Sequence, residues 1–410
     1  MIVTLSAIRL SIHRQKAAML IERILAAARP ATASTACLHA VDAVRDAGLM
    51  AEWGRLVRRM SEPNAFAEPW FFAASAHLDG ADAVRLLVVR HGGVLTGLLP
   101  VIVAPHYGRI PVAHVQGHLH YHSLLGTPAV RAGQEEAFWS AILDLLDQAR
   151  WAKGLLHLTA IPEDGPVHRG LIAAAAERNR PCDIVHRHER ALLHSTLTPT
   201  AYYERTVRKK KRKELKRLEQ RLSECGTVVT RHFGPDDDLP AWIDAYLTLE
   251  ASGWKGAAGS ALALQPETAA FFRAALTGAH AAGRLDLLRM DLDGAPIAML
   301  VNFLTAPGSF SFKIAFDEAY ARFSPGVLLQ IANLDLLDRP EYAWMDSCAI
   351  EDHSMINSLW AERRALVRLS VPLSGPRRRL IFALCRMAER AAARRRARRM
   401  VLPMEPENAD

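Results

Sequence analysis

The chain has 410 residues, half of them hydrophobic, a formal net charge of +8 and five cysteines. That length exceeds one ordinary core and favours two domains or a duplicated one. No apolar run reaches the roughly 18–20 residues of a membrane span, and Cys37, Cys182, Cys225, Cys348 and Cys385 are too scattered for a disulfide framework or a zinc site.

In chain order, residues 1–65 read as an N-terminal helical segment. Arg9, His13, Arg14, Lys16, Glu22 and Arg23 interrupt its start, so it does not read as a signal peptide, and a cytoplasmic protein with reduced thiols is expected. Residues 66–197 form a first α/β unit. Strand-like runs at 83–90 and 94–104 flank the turn His91-Gly92-Gly93, followed by a strand near 109–117, a helix at 134–151, a strand at 154–160, a helix at 166–179 and a strand at 183–197. His114, His118, His120 and His122 occupy even positions, so a strand would aim them at one face. A polar wall facing a groove between lobes is expected there rather than a metal site, because no acidic partner is adjacent.

Residues 198–226 read as one long connecting helix, with Thr198 as N-cap, Pro199 at the first helical position and Gly226 as the stop. A helix at 237–252 has the apolar stripe Leu239, Trp242, Ile243, Tyr246 and Leu249, and ends at Glu250, Trp254, Lys255 and Gly256. The first unit's plan then repeats within 227–372. Two strands flank Asp293-Gly294, and a strand at 309–316, a helix at 326–338, a strand at 342–346, a helical or irregular segment at 353–362 and a strand at 363–370 follow. At an offset of 201, Leu86, Leu87, Gly93 and Leu99 fall on Leu287, Leu288, Gly294 and Leu300. Two similar lobes with mixed, mainly antiparallel sheets flanked by helices are expected, an α/β (α+β) fold. Residues 373–410 form a basic helix and tail.

The charge is local. Residues 204–221 carry a net +7 and residues 377–399 a net +9, leaving the rest of the chain at −8. The basicity belongs to two helices. A run such as Lys209–Lys213 suits nucleic acid, although it lacks interleaved aromatics. Arg379, Arg386, Arg390, Arg394 and Arg398 line one face of the terminal helix, opposite Leu380, Leu384, Met387 and Ala391. That pattern suits an anionic membrane surface, or docking on the acidic remainder of the protein.

Residues 310–329 carry the most chemistry. They read as a strand, a turn and a helix opening at Gly326. The first amides of a helix lack partners within it and face an anion, so the backbone N–H groups of Gly326, Val327 and Leu328 are expected to be free for a phosphate, with Ser324 capping the helix or adding a hydroxyl. Lys313 and Asp317 sit four apart and are expected to pair and pin the loop. Alternatively, Asp317 takes a proton in catalysis. Tyr320 is placed to protonate a departing thiolate, and Asp346 and His353 are further candidate bases.

The basic helix 208–219, the element Leu249-Glu250-x-x-x-Trp254-Lys255-Gly256, Asp293-Gly294-x-Pro296-Ile297-Ala298 and the run Lys313-x-Ala315-x-Asp317-Glu318-x-Tyr320-x-x-x-Ser324-Pro325-Gly326-x-Leu328-Leu329 together resemble the GNAT acyltransferase superfamily, in the cellulose-biosynthesis (CelD/BcsL-like) branch. The likeness covers about 200–370 well and 66–197 more loosely. It implies a double-lobed acyltransferase with acetyl-CoA or another acyl-CoA as co-substrate and no metal, acting on a hydroxyl or amine of a cell-envelope polysaccharide or its precursor. Lys313, Arg322, Ser324, Gly326, Val327 and Leu328 then fall to the donor. Glu250, Trp254, Lys255, His120 and His122 fall to a small-molecule or glycan acceptor, with the simpler expectation for Trp254 being a place in the core. Arg322-Phe-Ser-Pro-Gly326-Val327 departs from the usual loop signature, since Pro325 removes one amide donor. Fem-type aminoacyltransferases share the double-lobed fold and use aminoacyl-tRNA, which makes a tRNA-dependent transferase the alternative; a non-catalytic glycan- or nucleotide-binding protein is the third reading.

Overall fold

A computed structural model describes residues 34–39, 46–78 and 80–401. Of the expected helical segment 1–65, residues 1–33 and 40–45 lie outside the described residues; within the remainder the chain forms a strand, Ser34–His39, and a helix, Ala47–Val57. The strands in chain order are β1 (Ser34–His39), β2 (Arg85–His91), β3 (Val94–Ala104), β4 (His114–Gly117), β5 (Ala129–Val130), β6 (Leu155–Pro162), β7 (Asp183–Leu193), β8 (Val228–His232), β9 (Leu285–Leu292), β10 (Ala295–Thr305), β11 (Gly308–Phe316), β12 (Trp344–Asp346) and β13 (Glu362–Pro372). The β9–β10 turn places Asp293 at φ 50° and Gly294 at φ 83°. Both are left-handed, the geometry for which Asp-Gly is selected in tight hairpins.

All these strands join one sheet in the order β1-β2-β3-β4-β6-β13-β7-β12-β11-β10-β9-β8, with β5 on β3. Neighbours are antiparallel except β4 with β6 and β11 with β12, which occupy the same place in each half. The halves interlock. The last strand, β13, lies between β6 and β7, and β7 has as its partners β13 and β12, both from the C-terminal half. The α/β architecture with helices on a mostly antiparallel sheet agrees with the sequence reading.

A shared core seals the lobes. Phe66 and Phe71 from the first half pack edge-on against Phe310 and Phe271 of the second, at centroid distances of 5.3 and 5.5 Å. The helix Pro266–Ala281 lies so close to Pro69–Ser75 that a Cβ on Gly278 would stand 3.0 Å from Trp70. Phe71, Phe271, Phe303 and Phe310 are fully buried, each such ring adding about 1.5–3 kcal/mol from burial.

Two sequence expectations change. The connecting helix is two helices, Pro199–Thr206 and Lys209–Ser223, separated by an extended Val207. Val207 is buried against Tyr202 and Trp360, and Arg212 donates to the carbonyls of Glu204 and Val207, so the break is packed and satisfied. Thr198 and Pro199 do start the first of them. The strand near 109–117 shrinks to β4, so the histidines do not share a strand face: His114 packs against Tyr107 and His157, whereas 118–122 is irregular chain leading away.

Candidate active site

The parallel pairs create two notches. In the first half β4 pairs with β6 at Val115↔Leu156 and Gln116↔His157 and then parts from it. The gap is filled by the chain itself: the Gly126 N–H bonds to the Ala160 carbonyl at 2.9 Å, and Leu125 is buried. Only glycine fits this approach, since a Cβ on Gly126 would fall 2.0 Å from the Thr159 oxygen.

In the second half β11 pairs with β12 over Gly308–Phe310 and runs on to Phe316 with β10 on its other edge. After Asp346 the chain turns to β7, with the Ser347 N–H on the Ala191 carbonyl, 3.1 Å. Among the described residues no hydrogen bond joins 311–316 to 347–353. This notch is open.

Its inner wall is set by a bulge. Val301 opposes Lys313 and Asn302 opposes Ser311, which leaves Phe312 as an extra residue. A bulge puts two consecutive side chains on one side. Lys313 therefore faces the interlobe core with Phe312, while Ser311 faces the opposite way and takes a bond from Gln330. Lys313 makes no ion pair or hydrogen bond among the described residues. Burial and the neighbouring Lys255 ammonium pull its pKa down to about 8.

Around Lys313 stand groups from both lobes. The Lys255 ammonium is 2.7 Å from Glu250, whose other oxygen accepts from the Leu262 N–H at 2.9 Å, and it reaches the Ile314 carbonyl at 3.4 Å. His122 stacks on Phe271 at 5.1 Å and leaves its buried Nδ1 without a partner among the described residues. Burial and the charges of Lys313 and Lys255 push its pKa down to about 3, so it is a neutral imidazole. His120 is fully committed. Its Nδ1 accepts from the His122 N–H at 3.2 Å, so its Nε2–H donates to Ser75 Oγ at 2.9 Å, and its ring stacks on Phe71. Of the expected acceptor residues, Glu250, Lys255 and His122 come together; His120 braces His122. Trp254, expected in the core, is instead 59% exposed at the lip, where its backbone N–H donates to Glu318 at 2.5 Å.

The outer face of β11 carries the other cluster. The helix Pro325–Ala332 starts under Phe316 and Ile314, with Gly326 buried and a Cβ there 3.2 Å from the Phe316 ring. The amides of Val327 and Leu328 both donate to the Ser324 carbonyl, at 2.9 and 3.1 Å, which corrects the expectation of three free groups: Pro325 has no N–H, and the Gly326 N–H alone has no acceptor among the described residues. Ser324 adopts φ 56° and its hydroxyl does not cap the helix. Alongside runs the basic helix Lys209–Ser223. Leu222 packs with Phe323 and Leu328, Val207 with Val327, and Lys211 bonds Ser358. Lys209, Lys210 and Lys213 are left exposed. Arg322, also exposed, lies over the Phe323 ring at 4.7 Å.

The remaining expected catalytic residues do not assemble. Asp317 caps its own turn, accepting from the Ala319 N–H at 2.9 Å, and is not paired with Lys313, which the bulge aims elsewhere. Tyr320 is half-buried against the cluster of Leu222 and Leu288, on the same sheet face as Gly326 rather than Lys313. His353 precedes the one-turn helix Ser354–Asn357, with its carbonyl on the Asn357 N–H. Asp346 is not a base. It is wholly buried and held by Arg190 (2.6 and 2.8 Å), Arg364 (3.0 Å) and the Cys348 N–H (2.9 Å). Burial opposes its ionisation, but the two guanidinium charges outweigh that and hold it below the usual carboxylate range. Cys348 was not singled out from sequence; burial and Asp346 push its thiol pKa up, so it stays protonated beside the notch. Its position past the end of β12 is a tertiary fact with no local signal.

Residues 209–353 match the acetyltransferase (GNAT) domain family. That match spans β8 to β12 and the basic helix before them, within the C-terminal half. Among solved structures the chain resembles FemX (TM-score 0.51, 8% identity, 78% of this chain and 95% of the other). It also resembles the C-terminal domain of a putative lysylphosphatidylglycerol synthetase from Agrobacterium fabrum (0.50, 12%, 82% and 93%) and a conserved protein of unknown function from Bacteroides thetaiotaomicron (0.50, 11%, 78% and 97%). These likenesses concern the fold. No curated protein matches the sequence.

Proposed function

We propose that this chain is an acyltransferase that moves an acyl group, most simply acetyl from acetyl-CoA, to a hydroxyl or amine of a cell-envelope polysaccharide or its precursor. The observation that carries this reading is the unpaired edge of β11 from Ser311 to Phe316, lying between the Gly326 helix start and the Lys313 cluster. The donor's thioester arm lies along that edge, and its diphosphate rests between the Gly326 N–H and the exposed cations of the basic helix. The acceptor enters from the interlobe face, under Trp254 and against His122. Lys313, in its neutral form, takes the proton as the acceptor oxygen or nitrogen attacks the thioester carbonyl; the C–S bond then breaks, and the thiolate is protonated by water. A lysine whose pKa lies near the working pH suits this task, and orientation supplies the rest.

A second reading follows from the exposed Lys209, Lys210 and Lys213 beside the helix start, which also suit an aminoacyl-tRNA donor. A melting-temperature panel with coenzyme A, acetyl-CoA and tRNA separates the two. Stabilisation by the coenzymes supports the first reading, since a ligand at 100 times its Kd adds about 2.7 kcal/mol. Stabilisation by tRNA alone, lost at high salt, replaces it with the second.

A further inference from the structure

We propose that the terminal helix Pro376–Val401 is a docking surface for an anionic lipid bilayer, with one face fixed to the protein and the opposite face presented to the membrane. The fixed face is visible in its contacts. Phe382 and Cys385 are buried against Tyr107, Ile110, Val112 and Leu155 of the first half. Arg378 donates to the carbonyls of Asp147 and Ala152, and Arg386 is 2.7 Å from Asp183. These contacts account for two arginines and leave the other side of the helix uncovered.

On that side Leu380, Leu384 and Met387 are 60%, 51% and 59% exposed. Their spacing of four and three places them in one stripe along the helix axis. Single exposed aliphatics are ordinary, whereas an aligned stripe on a helix already held by its other face marks a contact surface. Exposed Arg377, Arg379, Arg390 and Arg394 border it, and among the described residues Arg390 alone of these meets an acid, Asp183 at 3.8 Å. Arg150 and Lys153, exposed on the loop that Arg378 grips, extend the cationic surface onto the body of the protein. The side chain of Arg398 lies outside the described residues.

An aliphatic stripe rimmed by arginine matches the boundary of an acidic bilayer, where methyl groups enter the acyl region and guanidinium groups stay with phosphates. Nucleic acid would satisfy the arginines alone: it offers no hydrocarbon to the stripe, which has no aromatic ring for stacking. Among the described residues no helix is long and apolar enough to cross a membrane, so the attachment is to the surface.

The test is co-sedimentation of the full chain with phosphatidylcholine vesicles, with or without about one third phosphatidylglycerol, and with polyuridylate as competitor. The wild type should pellet with the acidic vesicles and stay in solution with neutral ones. Leu380→Glu/Leu384→Glu should cut partitioning at least tenfold with an unchanged melting temperature, since neither residue packs inside, and Arg377→Gln/Arg379→Gln should weaken it and its salt dependence. Failure to pellet, pelleting that the leucine variant retains in full, or displacement by polyuridylate with equal affinity in wild type and leucine variant would each overturn the proposal.

Discussion

Lys313 and Phe312 are sequence neighbours that lie on the same side of β11, the ammonium 5.2 Å from the centre of the phenyl ring. The bulge opposite Val301 and Asn302 produces this, and it turns a cation that regular alternation would send to the outer face into the interlobe notch. With no counter-ion of its own, Lys313 should titrate at about 8. Nuclear magnetic resonance of reductively methylated protein reads this directly. Lys255→Met should raise the value, because it removes a repelling ammonium and frees Glu250. A Lys313 resonance titrating in the ordinary lysine range would exclude it as a base at neutral pH.

Donor binding should depend on one amide more than on a helix mouth as a whole. Gly326→Ala places a methyl group 3.2 Å from Phe316, crowding the unpartnered N–H. Coenzyme A affinity should fall about tenfold, the equivalent of ~1.4 kcal/mol, by isothermal titration. Lys209→Gln/Lys210→Gln/Lys213→Gln should flatten the salt dependence. If both variants bind like the wild type, the diphosphate lies elsewhere.

Asp346 should behave as a structural group. Arg190→Met leaves a buried carboxylate with Arg364 as its remaining cation, and unfolding in urea should show a loss of about 3 kcal/mol. Arg190 comes from β7 and Asp346 from β12, so the pair pins the two halves together. A normal midpoint with lost turnover would instead restore Asp346 to the chemistry.

His232 predicts a pH response. Its nitrogens lie 2.9 Å from Asp286 and 2.6 Å from Asp335, and these carboxylates raise its pKa from 6.5 to about 9. The folded state therefore holds a proton that the unfolded chain releases, so this contribution is complete below pH 6.5 and disappears as pH rises through about 9. Melting temperature should decline across that window, and the decline should be shallower in His232→Gln. An identical profile in the variant would remove His232 from the account.

Local chemistry in the sequence was enough for the hairpin at Asp293-Gly294 and the helix start at Thr198, because Asp293-Gly294 and Thr198-Pro199 act through near neighbours. Glu250 and Lys255 were legible as polar residues ending an apolar helix, whereas His122 was read on a strand face that the chain does not form. What alternation misreads is Lys313, since a single bulge residue reverses its face. The pairing of Asp346 with Arg190 and Arg364 joins residues far apart in the chain, and no spacing rule reports it. The edge bridged at Gly126 and the unbridged one beside β11 follow the same kind of parallel strand pair; loop packing tells them apart.

Because β7 hydrogen-bonds to β12 and β13 and to no strand of its own half, synthesis of the first two hundred residues leaves that strand without a mate. β6 likewise keeps a bare edge until residues 362–372 arrive. An emerging chain must hold two adhesive borders apart until residues 344–372 have been made. Neither half is a portable module: cutting near residue 198 should give fragments that clump when made alone and recover only when produced together.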